Sequence, residues 1–333
     1  MKAVVLVGGF GTRLQPLTLS TPKQMLPVNN RLMIERVVEH LGAHGVSTAI
    51  LALGYRPDAF VNAYPDGRCA GVDLHYAVEP EPLDTAGAVR FAALHFGVDE
   101  RFLVVNGDVL TDLDIGALVE FHERTGAEGT ISLHRVEDPS GYGVVATDGD
   151  GRVTAFIEKP LRADAPTNLI NAGTYVLEPS VLDRIAPGRP VNIERVTFPT
   201  MVEDGSLCAL DGETYWIDAG TPETYLAANL DLVWGRRGPA EPGVHEDAVV
   251  AGEVTGAVIG AGARVERGGT VTDSVLMPGA TVRAGAVVRD AIIGPRAVVE
   301  AGAVVESGSV IGDDVVVRAT QRVCAQKIPE GAA

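Results

Sequence analysis

From Ile259 to Val317 aliphatic residues return at a six-residue period, and that period is the tightest constraint on what this chain can fold into. The series runs Ile259, Val265, Val271; then Leu276, Val282, Val288; then Ile293, Val299, Val305, Ile311, Val317. Glycines stand between them, as at Gly260, Gly262, Gly279, Gly285, Gly294, Gly302, Gly308 and Gly312, and aromatics almost vanish. Ordinary glycine-rich β structure would meet this spacing only by coincidence, whereas a parallel β-helix of hexapeptide repeats requires it. Two steps fall one residue short, Val271 to Leu276 and Val288 to Ile293, and predict corners with altered turns. Upstream, residues 232–243 are rich in glycine, proline and charge and read as a linker region. The expected division is therefore an α/β domain over 1–235, a linker over 236–243 and a repeat domain over 244–333.

Residues 1–235 alternate strand-like and helix-like segments. Lys2 to Val7, Val46 to Leu53, Phe102 to Val105 and Val153 to Ile157 are apolar runs that read as buried strands. Between them, Met33 to His44 carries Ile34, Val37, Val38 and Leu41 at helical spacing, and Thr85 to Phe96 reads as another helix. Such alternation predicts a doubly wound, mainly parallel, Rossmann-like sheet. Ligands of these sheets bind at the carboxyl ends of the strands. The loop at Gly8 and the carboxylate of Asp108 each follow a strand directly, so both belong to that edge.

The first strand empties into Gly8-Gly9-Phe10-Gly11-Thr12-Arg13-Leu14-Gln15-Pro16-Leu17-Thr18, followed by Pro22-Lys23. Glycines let backbone N–H groups crowd an anion, while Arg13 and Lys23 neutralise its charge. This is equipment for a triphosphate. The spacing is neither G-x-x-x-x-G-K-[ST] nor G-x-G-x-x-G, which excludes a Walker loop and a dinucleotide fingerprint. A formal charge of −17 over 333 residues argues against nucleic acid or an anionic membrane as partner. Three cysteines form no C-x-x-C pair, and seven histidines form no cluster. The amino terminus enters the first strand without a signal peptide, and no apolar run approaches a membrane span, so a cytoplasmic protein is expected.

The string G-G-x-G-T-R-L-x-P-L-T-x-x-x-P-K-x-x-x-P-V over residues 8–28 resembles the signature of the sugar-1-phosphate nucleotidyltransferases, the NDP-sugar pyrophosphorylases. Further matches follow in the family's order: Glu79-Pro80-Glu81-Pro82-Leu83-Asp84-Thr85-Ala86-Gly87, Asn106-Gly107-Asp108, Tyr142-Gly143, Glu158-Lys159-Pro160, Asn171-Ala172-Gly173 and Trp216-Ile217-Asp218-Ala219-Gly220. Across the whole chain the resemblance is greatest to the mannose-1-phosphate guanylyltransferase branch. It implies a left-handed hand for the β-helix and transfer of a nucleotidyl group from an NTP to a sugar 1-phosphate with release of pyrophosphate. It also implies nucleotide contacts from Leu6, Gly8, Gly9, Gly11, Thr12, Arg13, Lys23, Glu79, Asp84 and Thr85. Sugar-phosphate contacts would come from Gly143, Glu158, Lys159, Asn171 and Gly173. Arg13, Lys23, Asp108 and Asp218 are the expected catalytic residues. Alone, Asp108 or Asp218 would be an ordinary turn residue; within the motif set they become ligands for Mg²⁺, which takes one or two carboxylates plus phosphate oxygens.

Such a reaction asks for positioning and charge neutralisation more than for acid–base chemistry, because a sugar phosphate is already largely ionised at neutral pH. Base choice has its own logic. Guanine offers two adjacent donors, N1–H and N2–H₂, which a carboxylate accepts together, and Glu79 stands where thymidylyl relatives carry Gln. GTP and mannose 1-phosphate, giving GDP-mannose, are therefore the expected ligands. Three departures keep other ligands open: Asp84 replaces a usual glycine, Gln15 replaces an arginine of the mannose branch, and Lys23-Gln24-Met25-Leu26-Pro27 has the thymidylyltransferase wording. The alternatives are a thymidylyl-, uridylyl- or adenylyltransferase acting on glucose 1-phosphate or a cyclitol phosphate, and a non-catalytic regulatory paralogue. Acyl transfer on the β-helix would have only His245 as a candidate base. The repeat domain is instead expected to assemble copies into a homo-oligomer.

Overall fold

The computed structural model describes residues 1–54 and 56–329. Two compact units divide the chain, one made of Met1–Gly9 with Ile34–Trp216, the other of Phe10–Met33 with the chain from Ile217 onward. The glycine-rich loop is thus split in sequence between units, with Gly8 and Gly9 in the first and Gly11, Arg13 and Lys23 in the second.

The first unit is built on a ten-stranded mixed sheet. In chain order its strands are β1 (Lys2–Leu6), β2 (Thr48–Leu53), β3 (Arg68–Cys69), β4 (Val72–Val78), β5 (Phe102–Asn106), β6 (Gly129–Arg135), β7 (Gly143–Thr147), β8 (Val153–Glu158), β9 (Leu169–Leu177) and β10 (Leu207–Asp211). Their order across the main path is β8-β7-β9-β5-β1-β2-β4-β3, with β6 paired to β9 and β10. The Rossmann-like core is β4-β2-β1-β5, whose neighbours all run parallel. Strands β7, β8 and β9 extend it with antiparallel pairings. Strand β1 is buried on both faces, with Ala3, Val4 and Val5 fully covered, which is why it reads as a continuous apolar run.

The helix Asp84–His95 covers that core. Its small side chains Ala86, Ala88, Ala92 and Ala93, with Val89, enter one apolar cluster with Val4, Ile50, Ala52 and Val104. The helix Ile115–Thr125 is capped by Asp114, whose carboxylate accepts from the Ala117 N–H at 3.0 Å, and it ends at Gly126 with φ 62°.

In the second unit the repeats form three parallel sheets of five short strands each. In one of these sheets the register repeats every seventeen residues, from Val254 to Val271 to Val288 to Val305, and the step from Val305 to Val323 is one longer. Every aliphatic residue of the six-residue series, from Ile259 to Val317, points into the single apolar core of the coils. The short steps after Val271 and Val288 are corners turned by one left-handed residue each, Asp273 and Asp290, both at φ 47°. Where the step regains six residues, Ser307 at φ 59° and Gly308 at φ 73° turn the same corner together. Aspartate tolerates this region better than most side chains because its short polar group bonds locally. Among the described residues, no helix is long and apolar enough to cross a membrane.

Inward and outward positions should differ sharply in their tolerance. Leu276 is fully buried, so Leu276→Ala should cost about 2–5 kcal/mol through lost burial and a cavity. Thr281→Ala, on the outward side of the following strand, should stay within about 0.5 kcal/mol. Denaturant midpoints of both variants check this; equal shifts would contradict the register.

Candidate active site

The parallel register brings the carboxyl ends of β1, β2, β4 and β5 to one edge. Leu6 pairs with Ala52 on one side and Asn106 on the other, and Leu53 pairs with Val78. The chain runs outward from β1 through β2 to β4, then returns to place β5 on the opposite side of β1. This is a topological switch point, where open α/β sheets bind ligands. Gly8 and Gly9 leave the end of β1, Glu79 leaves β4, and Gly107 and Asp108 leave β5. Gly107 sits against the first strand, its N–H donating to the Leu6 carbonyl at 2.9 Å; a Cβ there would lie 2.6 Å from a Val7 methyl.

Glu79 is half-buried. One carboxylate oxygen, Oε2, accepts from the Leu83 N–H at 2.9 Å, and the other, Oε1, faces Gly8, 3.8 Å from where a Cβ would stand. Burial pushes its pKa up, the Leu83 N–H opposes this, and Asp84 adds to the rise. Asp84 occupies φ 57°. The position therefore holds left-handed backbone, which aspartate tolerates better than most side chains. The Asp84 carboxylate also accepts from the Thr85 N–H at 2.7 Å and from Asn192 Nδ2 at 3.1 Å. Thr85 Oγ1 accepts from the Ile193 N–H at 2.8 Å.

The residues expected to hold the sugar phosphate gather on β7, β8 and β9. Gly143 pairs with Glu158 across the β7–β8 ladder, and a Cβ at Gly143 would come 2.8 Å from the Phe156 ring and 3.2 Å from Glu158 Oε2. That oxygen is buried and accepts no hydrogen bond among the described residues. Glu158 Oε1 lies 3.6 Å from the ammonium of Lys159, which is itself exposed. The pairing of β9 with β6 breaks register between Asn171 and Tyr175, and Gly173 sits in that break at φ 77°. A Cβ on Gly173 would meet Asn106 Nδ2 at 2.6 Å, so the glycine lets β9 close against the strand end that carries Asp108.

Two residues here, Asn192 and Glu194, carry no signal in the sequence. Asn171 Nδ2 donates to Glu194 Oε1 at 2.7 Å and to the Tyr175 hydroxyl at 2.9 Å. Glu194 lies in a π-helical turn, Ile193–Thr197, which Asn192 caps by accepting from the Glu194 and Arg195 N–H groups. Burial, then the nearby Glu158, raise the Glu194 pKa. Asn192 thus ties the Asp84 loop to the turn that holds Asn171. In sequence, Asn192-Ile193-Glu194-Arg195 looks like any polar helix start, because a π-turn has no compositional mark.

In the second unit, Gly11 at φ 61° opens the short turn Thr12–Leu14, and its carbonyl accepts from Thr18 Oγ1 at 2.7 Å. A Cβ on Gly11 would stand 3.4 Å from the Lys23 Cβ, so the turn brings Lys23 beside it. Arg13 Nη2 lies 3.6 Å from Asp218 Oδ2. Gly220 makes that approach possible, since a Cβ there would fall 2.6 Å from both Arg13 Nη2 and Asp218 Oδ1. Thr12 is exposed beside them. Among the described residues no three histidine, cysteine, aspartate or glutamate side chains gather as a metal cage. Single carboxylates at strand ends are oxygen donors of the kind Mg²⁺ uses together with phosphate oxygens.

This geometry agrees with what the chain resembles among known proteins. Residues 2–233 match the family profile described as Nucleotidyl transferase, and residues 240–329 match the one described as GMPPB C-terminal domain. A mannose-1-phosphate guanylyltransferase of Mycobacterium tuberculosis is 41% identical over 279 residues, 80% of this chain and 77% of the relative. A mannose-1-phosphate guanyltransferase of Aspergillus oryzae is 45% identical over 231 residues, 68% of this chain and 63% of the relative, so the match spans just under two thirds of that fungal protein. Among solved structures, HddC from Yersinia pseudotuberculosis complexed with GMP-PN superposes with a TM-score of 0.59 at 30% identity, covering 68% of this chain and 97% of that one. A phosphate-suited glycine turn, carboxylates at the strand ends and a family profile spanning both lead to one conclusion: the chain belongs to the nucleotidyl transferase family.

Proposed function

We propose that the enzyme transfers the guanylyl group of GTP to mannose 1-phosphate, forming GDP-mannose and pyrophosphate. The observation that carries the base assignment is the Glu79 carboxylate. Leu83 fixes one of its oxygens, and the other faces the glycine that follows β1. A carboxylate so held presents only acceptors, which suits the paired donors of guanine. The names of the relatives from Mycobacterium tuberculosis and Aspergillus oryzae support the same nucleotide and sugar.

In this reading a phosphate oxygen of the sugar attacks the α-phosphorus, the new P–O bond forms, and the bond to the β-phosphate oxygen breaks. The electron pair leaves with pyrophosphate. Arg13 and Lys23 neutralise the triphosphate, and the N–H groups around Gly8, Gly9, Gly11 and Thr12 hold its oxygens. Leu6 and Thr85 border the nucleoside. Glu158 Oε2 accepts from a sugar hydroxyl, Lys159 meets the sugar phosphate, and Asn171 with Gly143 and Gly173 shapes the pocket. We assign Asp108 and Asp218 to Mg²⁺, which would supply charge neutralisation at the transferring phosphoryl group. Copies would associate through the repeat region, which sedimentation of the full chain tests.

Asp108→Asn and Asp218→Asn should each lower turnover by roughly 10²-fold or more while circular dichroism stays unchanged. Near-normal Mg²⁺-dependent rates in both variants would remove the metal assignment.

Glu79→Gln tests the base. The amide must keep its single oxygen on the Leu83 N–H, so it would turn its NH₂ toward the donors of guanine. A mismatched hydrogen-bonding edge should depress kcat/KM for GTP about ten- to a hundredfold relative to dTTP. Equal depression of both nucleotides would favour the thymidylyl alternative.

A further inference from the structure

Segment 10–33 and the β-helix belong to the same compact unit, and the bonds between them fall on the phosphate-binding turn. The outward column of one repeat sheet reads Val258, Val275, Ile292, Val310, Lys327 in successive coils. The four aliphatic members are almost wholly buried. At the last coil the column changes from apolar to cationic, and the Lys327 ammonium donates to the main-chain carbonyl of Arg13 at 2.9 Å. One coil earlier the chain passes Gly312, where a Cβ would lie 3.1 Å from Pro16. Beside it, Ser20 Oγ donates to Asp313 Oδ2 at 2.6 Å. Two hydrogen bonds from the end of the repeats thus hold residues 13 and 20, with Gly312 leaving room for Pro16 between them, while the Arg13 side chain points to Asp218.

We infer that the last coils of the β-helix position the phosphate-binding turn, with Lys327 as a positioning residue that acts through Arg13. Buried Leu14 and Leu17 anchor the turn, but the main chain at exposed Arg13 would otherwise be left to vary and with it the direction of the guanidinium. A charge-assisted bond to the Arg13 carbonyl removes that freedom. This inference rests on the reading of Arg13 as the cation that meets the nucleotide phosphates.

The test uses the full chain with GTP and mannose 1-phosphate. Lys327→Ala should lower kcat/KM for the nucleotide roughly three- to thirtyfold and leave KM for the sugar phosphate unchanged. Lys327→Arg should restore most of the loss, and the melting midpoint should move little, because Lys327 is exposed. In an Arg13→Ala background, adding Lys327→Ala should have no further effect, since the residue acts through Arg13. Nucleotide kinetics within twofold of the parent in Lys327→Ala, or an undiminished loss in the Arg13→Ala background, would overturn the inference. An Arg13→Ala variant with unaltered nucleotide kinetics would instead overturn the phosphate reading of Arg13 on which it depends.

Discussion

The parallel register of β1 with β2 and β5 is the constraint on which the site depends. Because Leu6 is level with Ala52 and Asn106, the residues that follow each strand emerge at one edge. Sequence separations of about a hundred residues between Gly8 and Asp108 collapse into adjacent loops once the ladder forms. The core that holds this register is apolar and rich in β-branched and small side chains, with Val4, Ile50 and Val104 in one cluster with the alanines of the helix Asp84–His95. Hydrophobic burial of that helix is what keeps the strands aligned.

Several glycines around the candidate site work by subtraction. At Gly143, Gly173 and Gly220 a single added carbon would collide with Phe156, Asn106 or the Arg13–Asp218 pair. Gly173 and Gly220 let a polar group come closer than a side chain would permit, and Gly143 leaves room for the Phe156 ring. Asp84 shows the opposite solution. It accepts the left-handed backbone that glycine would adopt freely and uses its carboxylate to bind Thr85 and Asn192. The loop is tied down by these hydrogen bonds and linked through Asn192 to the turn that orients Asn171.

Motifs that combine a strand, a turn and a charged residue within one short span were legible in the sequence. The loop after β1, the Asn106-Gly107-Asp108 corner and the Glu158-Lys159 strand end belong to this class, since local spacing determines where their side chains emerge. The six-residue series was equally legible, and even its two short steps appear as single-residue corners at Asp273 and Asp290. Glu194 was not legible. Its partners Asn171 and Glu158 are distant in sequence, and its π-turn arises from the packing of Ile193, Thr197 and Phe198 rather than from a local pattern.

What the sequence by itself determined is periodicity and local chemistry: an alternating α/β segment, a coil of hexapeptides, and a glycine-rich turn with cations at set offsets. These follow from side-chain spacing and backbone preference, which act over a few residues. Only the tertiary structure decided that residues 10–33 belong to the same unit as the repeats, so that Lys327 reaches the carbonyl of Arg13 across 314 positions of sequence. It also decided that the Arg13 guanidinium meets Asp218 and that Glu79 spends one oxygen on Leu83. Such pairings are set by how buried surfaces fit together, and complementarity between distant segments leaves no period or motif in either segment alone.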